Sequence, residues 1–466
     1  MRSLLRQCTL LMLVVFLGVT AAACGTQQGA ATDGQGTSGT ATGGTDGQGT
    51  SGTATGGTSA VAGLPAECSN VQLEYWNPFS GPDGPFMGEL AERFGAETGV
   101  QVAMTSINNN NPPGGYYTRL ATSQASNLLP DVAIIHADQV ATQAFRNVIR
   151  PMDDLVSEMG IDGGDFPEAV WNAGEVAGSR YAIPLDIHPM TMFYNQEALQ
   201  QAGLSGPPTN AEEFEQAAQT ATNDETFGFM LTTGFPIQQI FQQMLHQFGG
   251  SEFNEDGTEA TWNSEAGVQA LQWMKNAQEQ YGEPNLEVDA ELNAFRSGGV
   301  GMIWNGIWQT ADMTGEGVEF QSGATAVPQI GPQPAVWAGS HQLALPAQSN
   351  PDPCKEAAAA LFIRYLIDNS VEWARAGQIP ASNNVRASEE FLAIEPQAAI
   401  APSVESAFFP PSVPGITDAF LPMAEAVGAV MSGNAPDIQA ALDDSVARAN
   451  QILEQNRQNF GEAPSQ

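Results

Sequence analysis

Apolar and polar side chains alternate over positions 71–76 (Val-Gln-Leu-Glu-Tyr-Trp), the period of two expected of a half-buried strand. Turn formers fill 77–84, and a helical pattern of apolar positions follows over 86–97. A second strand is predicted at 100–104 and a second helix at 116–126. The run Val-Ala-Ile-Ile after Asp131 is wholly apolar, which suits a parallel strand covered on both faces. In open α/β sheets ligands sit beyond the carboxyl ends of the strands. The loops at 77–83 and 136–138 are therefore expected to share one rim.

The stretch 180–195 changes character midway. Positions 181–185 read as one strand and 190–194 as another, with Pro184 and Pro189 breaking the ladder because proline lacks an N–H. Between them Asp186 and His188 fall on one face. Two readings are open: a chain crossing between two bodies with a ligand beside it, or one interrupted core strand with an exposed Asp and His. Further along, Thr209 and Glu212 suggest a capping box for a helix starting near 210. Helices are predicted over 238–248, 264–280, 290–299, 355–368 and 438–456, a strand over 300–304, and another crossing over 336–345. Strands alternating with helices, too many for one small sheet, predict an α/β fold in two lobes.

The length of 466 residues allows two or three bodies. Fifty-two acidic residues against 15 Lys and Arg give a net charge of -37, which excludes nucleic acid and anionic membrane surfaces as main partners. The amino terminus brings a basic pair, Arg2 and Arg6, an apolar run over 10–19 and small residues at 21–23 before Cys24. This arrangement is similar to a bacterial lipoprotein signal, in which the cysteine is lipidated. Ala21 stands where that pattern prefers Leu, so an ordinary secretory signal is the alternative. From Gly25 to about Ala60 the chain is Gly, Thr, Ser, Ala and Gln, and the segment 32–44 recurs unchanged at 45–57. With no apolar face to stack, it reads as a flexible tether. Of the remaining cysteines, Cys68 and Cys354 stand alone in an exported body and suggest one disulfide, with two separate thiols as the alternative.

Trp76, Phe79 and Gly81, then Pro130-Asp131-Val132, Tyr181-Ala182-Ile183-Pro184, Tyr194-Asn195, Ala202-Gly203-Leu204, Pro207-Pro208-Thr209 and Glu213-Phe214 come in an order that resembles the extracellular solute-binding proteins, family 1, the maltose-binding-like sugar receptors of ABC importers. Phe295 to Met302, Asn305-Gly306-Ile307-Trp308, Gly377 to Ala381 and Ala449 to Leu453 continue it, so the resemblance spans about 71–453. It implies the two-lobe periplasmic-binding-protein fold (type II), with an interlobe cleft and hinge crossings. The implied division is a signal peptide at 1–23 and a lipidated cysteine with its linker at 24–65. The first lobe would take 66–187 and return at 336–395; the second would take 188–335 and the terminal helices at 396–466. The implied partners are an uncharged carbohydrate, the permease subunits and the membrane through Cys24. The protein would be a monomer without a cofactor at the outer face of the cell membrane.

Carried across by position, the resemblance marks Asp83, Asp138, Asp186 and Trp308 as ligand contacts. Where the family often has an aromatic after the Pro-Asp strand, this chain has Ile135 and His136. A sugar needs acceptors for its hydroxyls and flat apolar surface for its C–H faces. Trp76, Phe79, Trp304 and Trp337 could add such surface. His136, His188 and His341 fall on the expected rim, but none has the i, i+3 or i, i+4 spacing of a local metal motif, so they are expected to bind hydroxyls or serve structure, without metal. The rival reading is a secreted carbohydrate hydrolase with a pair drawn from Asp83, Asp138 and Asp186. No nucleophile elbow, HExxH, phosphate loop or Ser-His-Asp order supports an enzyme. An adhesion or sensor module would have the same fold without delivery to a permease.

Overall fold

Strand β1 (Gln72–Asn77) leads through helix α1 (Gly84–Thr98) to β2 (Gln101–Ser106), helix α2 (Gly115–Ala125) and β3 (Val132–His136). β1 pairs in parallel with both β2 and β3. α1 has proline in its first turn and stops at Gly99, whose left-handed φ of 80° lets its N–H reach the Gly95 carbonyl. This is a computed structural model; it describes residues 64–461 apart from positions 66, 69, 109–114 and 284–288. The expected signal segment, Cys24 and the tether up to position 63 lie outside the described residues.

The chain then runs through β4 (Ala182–Pro184), β5 (Asp186–Asn195), α3 (Ala211–Ala221), β6 (Phe227–Met230), α4 (Ile237–Gln247) and α5 (Glu265–Tyr281). Next come α6 (Ala290–Arg296), β7 (Val300–Gly306), β8 (Ser322–Ala326), β9 (Val336–Gly339) and β10 (His341–Ala344). Helix α7 (Pro353–Asp368), β11 (Ile379–Pro380), β12 (Ala407–Phe408), α8 (Phe420–Met431) and α9 (Ile438–Phe460) complete the framework. One sheet has the order β2-β1-β3-β10-β4; the other runs β12-β9-β5-β7-β6, with β8 and β11 also pairing β5.

Each sheet is covered on both faces. Tyr75, Phe94 and Phe362 fill one side of the first sheet, in a core that continues to Phe193 of the second and to Phe295 of α6 packed on it. Tyr116, Leu120 and Ile135 pack on the other side of the first, and Phe214, Phe241 and Trp262 on the other side of the second. The Cys68–Cys354 disulfide joins the residues before β1 to the first turn of α7. There Asp352 caps the helix by accepting the Cys354 and Lys355 N–H groups.

Of the chain's passages between the sheets, two lie side by side. Leu185 is the single residue between β4 of the first sheet and β5 of the second, and Ser340 separates β9 of the second from β10 of the first. The Leu185 N–H donates to the His341 carbonyl at 2.8 Å, which ties the crossings together.

Three expectations need correction here. The segment after Leu185 is one ten-residue strand, with no break over 186–189. Neither proline interrupts pairing: Pro184 stands opposite Gln342 and Pro189 opposite Ala338. β4 is the edge of its sheet, and pairing of β5 with β7 begins at Met190. Each proline therefore has a ladder neighbour on only one side, where a missing N–H is tolerated. The cap of α3 also lies one residue later than expected. Asn210 accepts the Glu213 N–H, while the Glu213 carboxylate accepts the Thr209 N–H and hydroxyl; Glu212 takes no part in the box.

Candidate functional site

The carboxyl ends of β1 and β3 do share one rim. A cleft of about 520 Å³ opens between the segment 78–83, the turn at 136–139, Phe235 and Gln239, the turn after β7, and Trp337 and His341 beside the second crossing. That volume suits a small organic ligand.

Local chemistry sets each wall. The Asn77 side chain accepts the Phe79 N–H at 3.1 Å and the Ser106 hydroxyl at 2.9 Å, which turns the chain out of β1 toward Asp83. Gln378 donates to Asp83 at 3.4 Å. β3 ends at His136 and passes into a short 3₁₀ turn that carries Asp138 and Gln139. On the other side Gly306 ends β7, and the Trp308 indole folds back over it. A β-carbon at 306 would lie 2.0 Å from that ring, so glycine is required for this pose. Phe235 stacks on Trp308 with centroids 5.6 Å apart and planes at 25°.

At the floor lies a buried polar knot. Asp186 is fully buried, and one carboxylate oxygen accepts the His341 backbone N–H and His188 Nδ1, both at 3.1 Å. The other accepts His341 Nδ1 at 2.7 Å and Trp373 Nε1 at 2.6 Å. Burial alone would raise this carboxyl; the His341 charge and the hydrogen bonds from His188 and His341 outweigh it and hold it below the usual carboxylate range. Burial pulls His341 down, against the attraction of Asp186. His136 is also drawn well below the usual imidazole range, first by burial and then by the charges of His341 and His188. Asp186 thus stands as a carboxylate. On the rim, burial pushes Asp138 up to about 6. Asp83 is raised by burial as well, with His341 opposing.

Of the sequence candidates, Phe79, Asp83, His136, Asp138, His188, Trp308, Trp337 and His341 line the cleft. Three others do not, and each absence has a cause. Asp186 sits beneath the surface, saturated by the four donors above. Trp304 is in the second lobe's core, stacked on Trp273 at 5.5 Å and packed against Phe229; its place in β7 turns it away from the rim. Trp76 packs among Tyr116 and Leu120 beside the first sheet, with Arg119 5.2 Å over its ring.

Sequence reasoning missed Tyr117, Phe235, Gln239, Asp289, Gln309 and Gln378, which also line the cleft. Two carried a faint signal. Gln309 adjoins Trp308, and Gln378 lies in the Gly-Gln-Ile-Pro-Ala segment that supported the resemblance.

A family model for bacterial extracellular solute-binding proteins matches residues 89–398. A binding protein of Brucella abortus (strain 2308) is 22% identical over 386 residues, covering 80% of this chain and 91% of its own. Among solved structures, an ABC substrate-binding protein of Listeria monocytogenes in complex with cycloalternan superposes with a TM-score of 0.71 at 21% identity, covering 83% of this chain and 100% of that one. The GacH receptor of Streptomyces glaucescens, solved unliganded and with acarbose, gives 0.72 at 22% identity, covering 83% of this chain and 99% of its own. The architecture is the two-lobe, maltose-binding-like one, and the match over most of the folded chain establishes the family. This chain belongs to the bacterial extracellular solute-binding proteins.

Proposed function

We propose that the protein captures an uncharged carbohydrate in the cleft and hands it to the membrane subunits of an ABC importer. It does so as a monomer held at the outer face of the cell membrane by a lipid on Cys24. The supporting observation is the composition of the cleft wall: Asp83, Asp138, Gln139, Gln239, Gln309 and Gln378 share it with Trp308, Trp337 and Phe235. Carboxylates and amides match a belt of hydroxyls, and charge-assisted bonds are the stronger kind. Indole faces match the C–H surfaces of a sugar ring. The family membership and the cycloalternan and acarbose complexes of the structural relatives support the same reading.

In this reading the lobes divide at the crossings, Leu185 and Ser340, a few residues from the expected boundaries at 187/188 and 335/336, so β5 and β9 go with the second lobe and β10 with the first. Ligand shifts the population toward a closed form only so far as it binds that form more tightly than the open one. A receptor needs no turnover. Hydrolysis of oligosaccharides by the wild type that disappears in Asp138→Ala would replace this reading with the hydrolase. The direct test is calorimetric titration after a thermal-shift screen of mono- and oligosaccharides. A sugar should bind, and Trp308→Ala should weaken it at least about tenfold while the protein stays folded, a loss of about 1.4 kcal/mol or more. Unchanged affinity would move the site elsewhere.

A further inference from the structure

His136, His188 and His341 come from three distant segments, the end of β3, the start of β5 and the start of β10. Their rings meet at one point on the cleft floor, with centroids 4.2 Å apart for His188 and His341 and 5.0 Å for His136 and His341. One ring nitrogen from each lies within 4.8 Å of the others.

Nδ1 of each ring is already held. An ionised carboxylate only accepts hydrogen bonds. Asp186 therefore fixes the Nδ1–H tautomer of both His188 and His341, leaving each Nε2 with a free lone pair. The Tyr117 oxygen accepts the His136 backbone N–H at 2.9 Å and lies 2.5 Å from His136 Nδ1. With Nδ1–H as the donor there, the third ring has the same tautomer. Imidazoles oriented through Nδ1 by a carboxylate or another oxygen are the usual support of a metal site. Gly339 makes room for this: a β-carbon there would stand 2.1 Å from His188 Nε2.

We infer that these three imidazoles form a binding site for a divalent transition metal of the zinc class, with its fourth position open to the cleft. Three histidines are a full protein ligand set for tetrahedral zinc with one exchangeable position, and imidazole also suits copper and nickel. A metal–nitrogen distance of about 2.0–2.1 Å in a tetrahedron needs nitrogens about 3.3 Å apart. The rings must close up by small rotations about their Nδ1 anchors. The open position faces the cleft that Asp83, Asp138 and Trp308 line, so an oxygen of the bound solute can complete the coordination. The inference rests on the imidazole cluster alone and holds whatever solute the cleft takes.

The test uses EDTA-stripped protein titrated with zinc chloride by calorimetry and with cobalt chloride by visible absorption, without sugar. One equivalent should bind at micromolar Kd or tighter, and cobalt should give the intense bands of a tetrahedral site. His188→Gln and His136→Gln should each weaken zinc at least about hundredfold. Asp186→Asn, which keeps all three ligands, should weaken it about 10–100-fold. His246→Gln is the control: that ring bonds Glu252 and stacks on Phe408, away from the cluster, and its loss should leave binding unchanged. Far-UV circular dichroism establishes that each variant is folded. If His188→Gln does not fold, His136→Gln decides. Zinc affinity in folded His136→Gln equal to wild type, or no stoichiometric uptake by the wild type, would overturn the site.

Discussion

The Cys68–Cys354 bond closes a loop between positions separated by 286 residues, and removing it is the most quantitative test of how the first lobe is held. The loop-entropy relation for that separation comes to about 6 kcal/mol at 25 °C. Residual order in the unfolded chain lowers it, and loss of a native disulfide usually costs about 2–5 kcal/mol. Cys68 is buried, so alanine is the better replacement, since serine would bury a hydroxyl. The double variant Cys68→Ala/Cys354→Ala should lose about 3–5 kcal/mol in urea unfolding, and dithiothreitol should bring the wild type to the same midpoint. Hydrogen exchange read by peptide should place the loss in β1–β3 and α7, with β6, α5 and α9 little affected. A loss under about 1 kcal/mol, or one spread equally over both lobes, would refute the claim that this bond secures the first lobe.

Gly306→Ala should displace the Trp308 indole and weaken solute binding about as much as Trp308→Ala, read by calorimetry. Full affinity with an alanine there would show that the observed indole pose is not the binding one. Glu291 is fully buried, its Oε2 has no hydrogen-bond partner among the described residues, and burial raises its carboxyl from 4.5 to about 7. The folded state thus holds the proton more tightly than the unfolded state, so the contribution is complete below pH of about 4.5 and fades as pH rises through about 7. At 1.36 kcal/mol per unit the span is about 3 kcal/mol. Glu291→Gln should therefore gain on wild type between pH 5 and pH 8 in urea melts, and an equal difference at both pH values would refute the assignment. Asp83→Asn keeps its shape and one acceptor, so it should weaken solute binding less than Asp83→Ala. Equal losses would mean that the ionised carboxylate itself is needed and that its shape and a single acceptor contribute nothing.

Much of the fold was legible because its signals are local. The alternation at 71–76, the apolar run before His136 and the helical pattern over 264–280 each depend on a few neighbouring residues, and each gave an element within a residue or two of its observed span. The rim was legible too, since strand order and the rule of carboxyl ends put Phe79, Asp83, His136 and Asp138 together. Asp186 was not. A carboxylate beside a chain crossing reads as a ligand contact, yet three of its four donors sit 155 and 187 residues away, and nothing near 186 announces them. Trp304 failed for another reason: an indole two residues before a glycine looks like its neighbour at 308, and only the face of β7 decides that one packs while the other is presented. The histidine cluster was illegible as a cluster because it is made by three strand ends meeting.

Two bonded crossings at Leu185 and Ser340 have a mechanical consequence. When one body turns on another, every part is displaced in proportion to its distance from the line of turning, and atoms on that line stay put. His188 and His341 are fastened to the crossings themselves through Asp186, so they sit at the fulcrum. In the closure proposed above, Phe235 and Gln239, on a separate arm, would travel with it. The floor therefore reads the chemistry of a solute in an unchanging frame, and the arm measures its size.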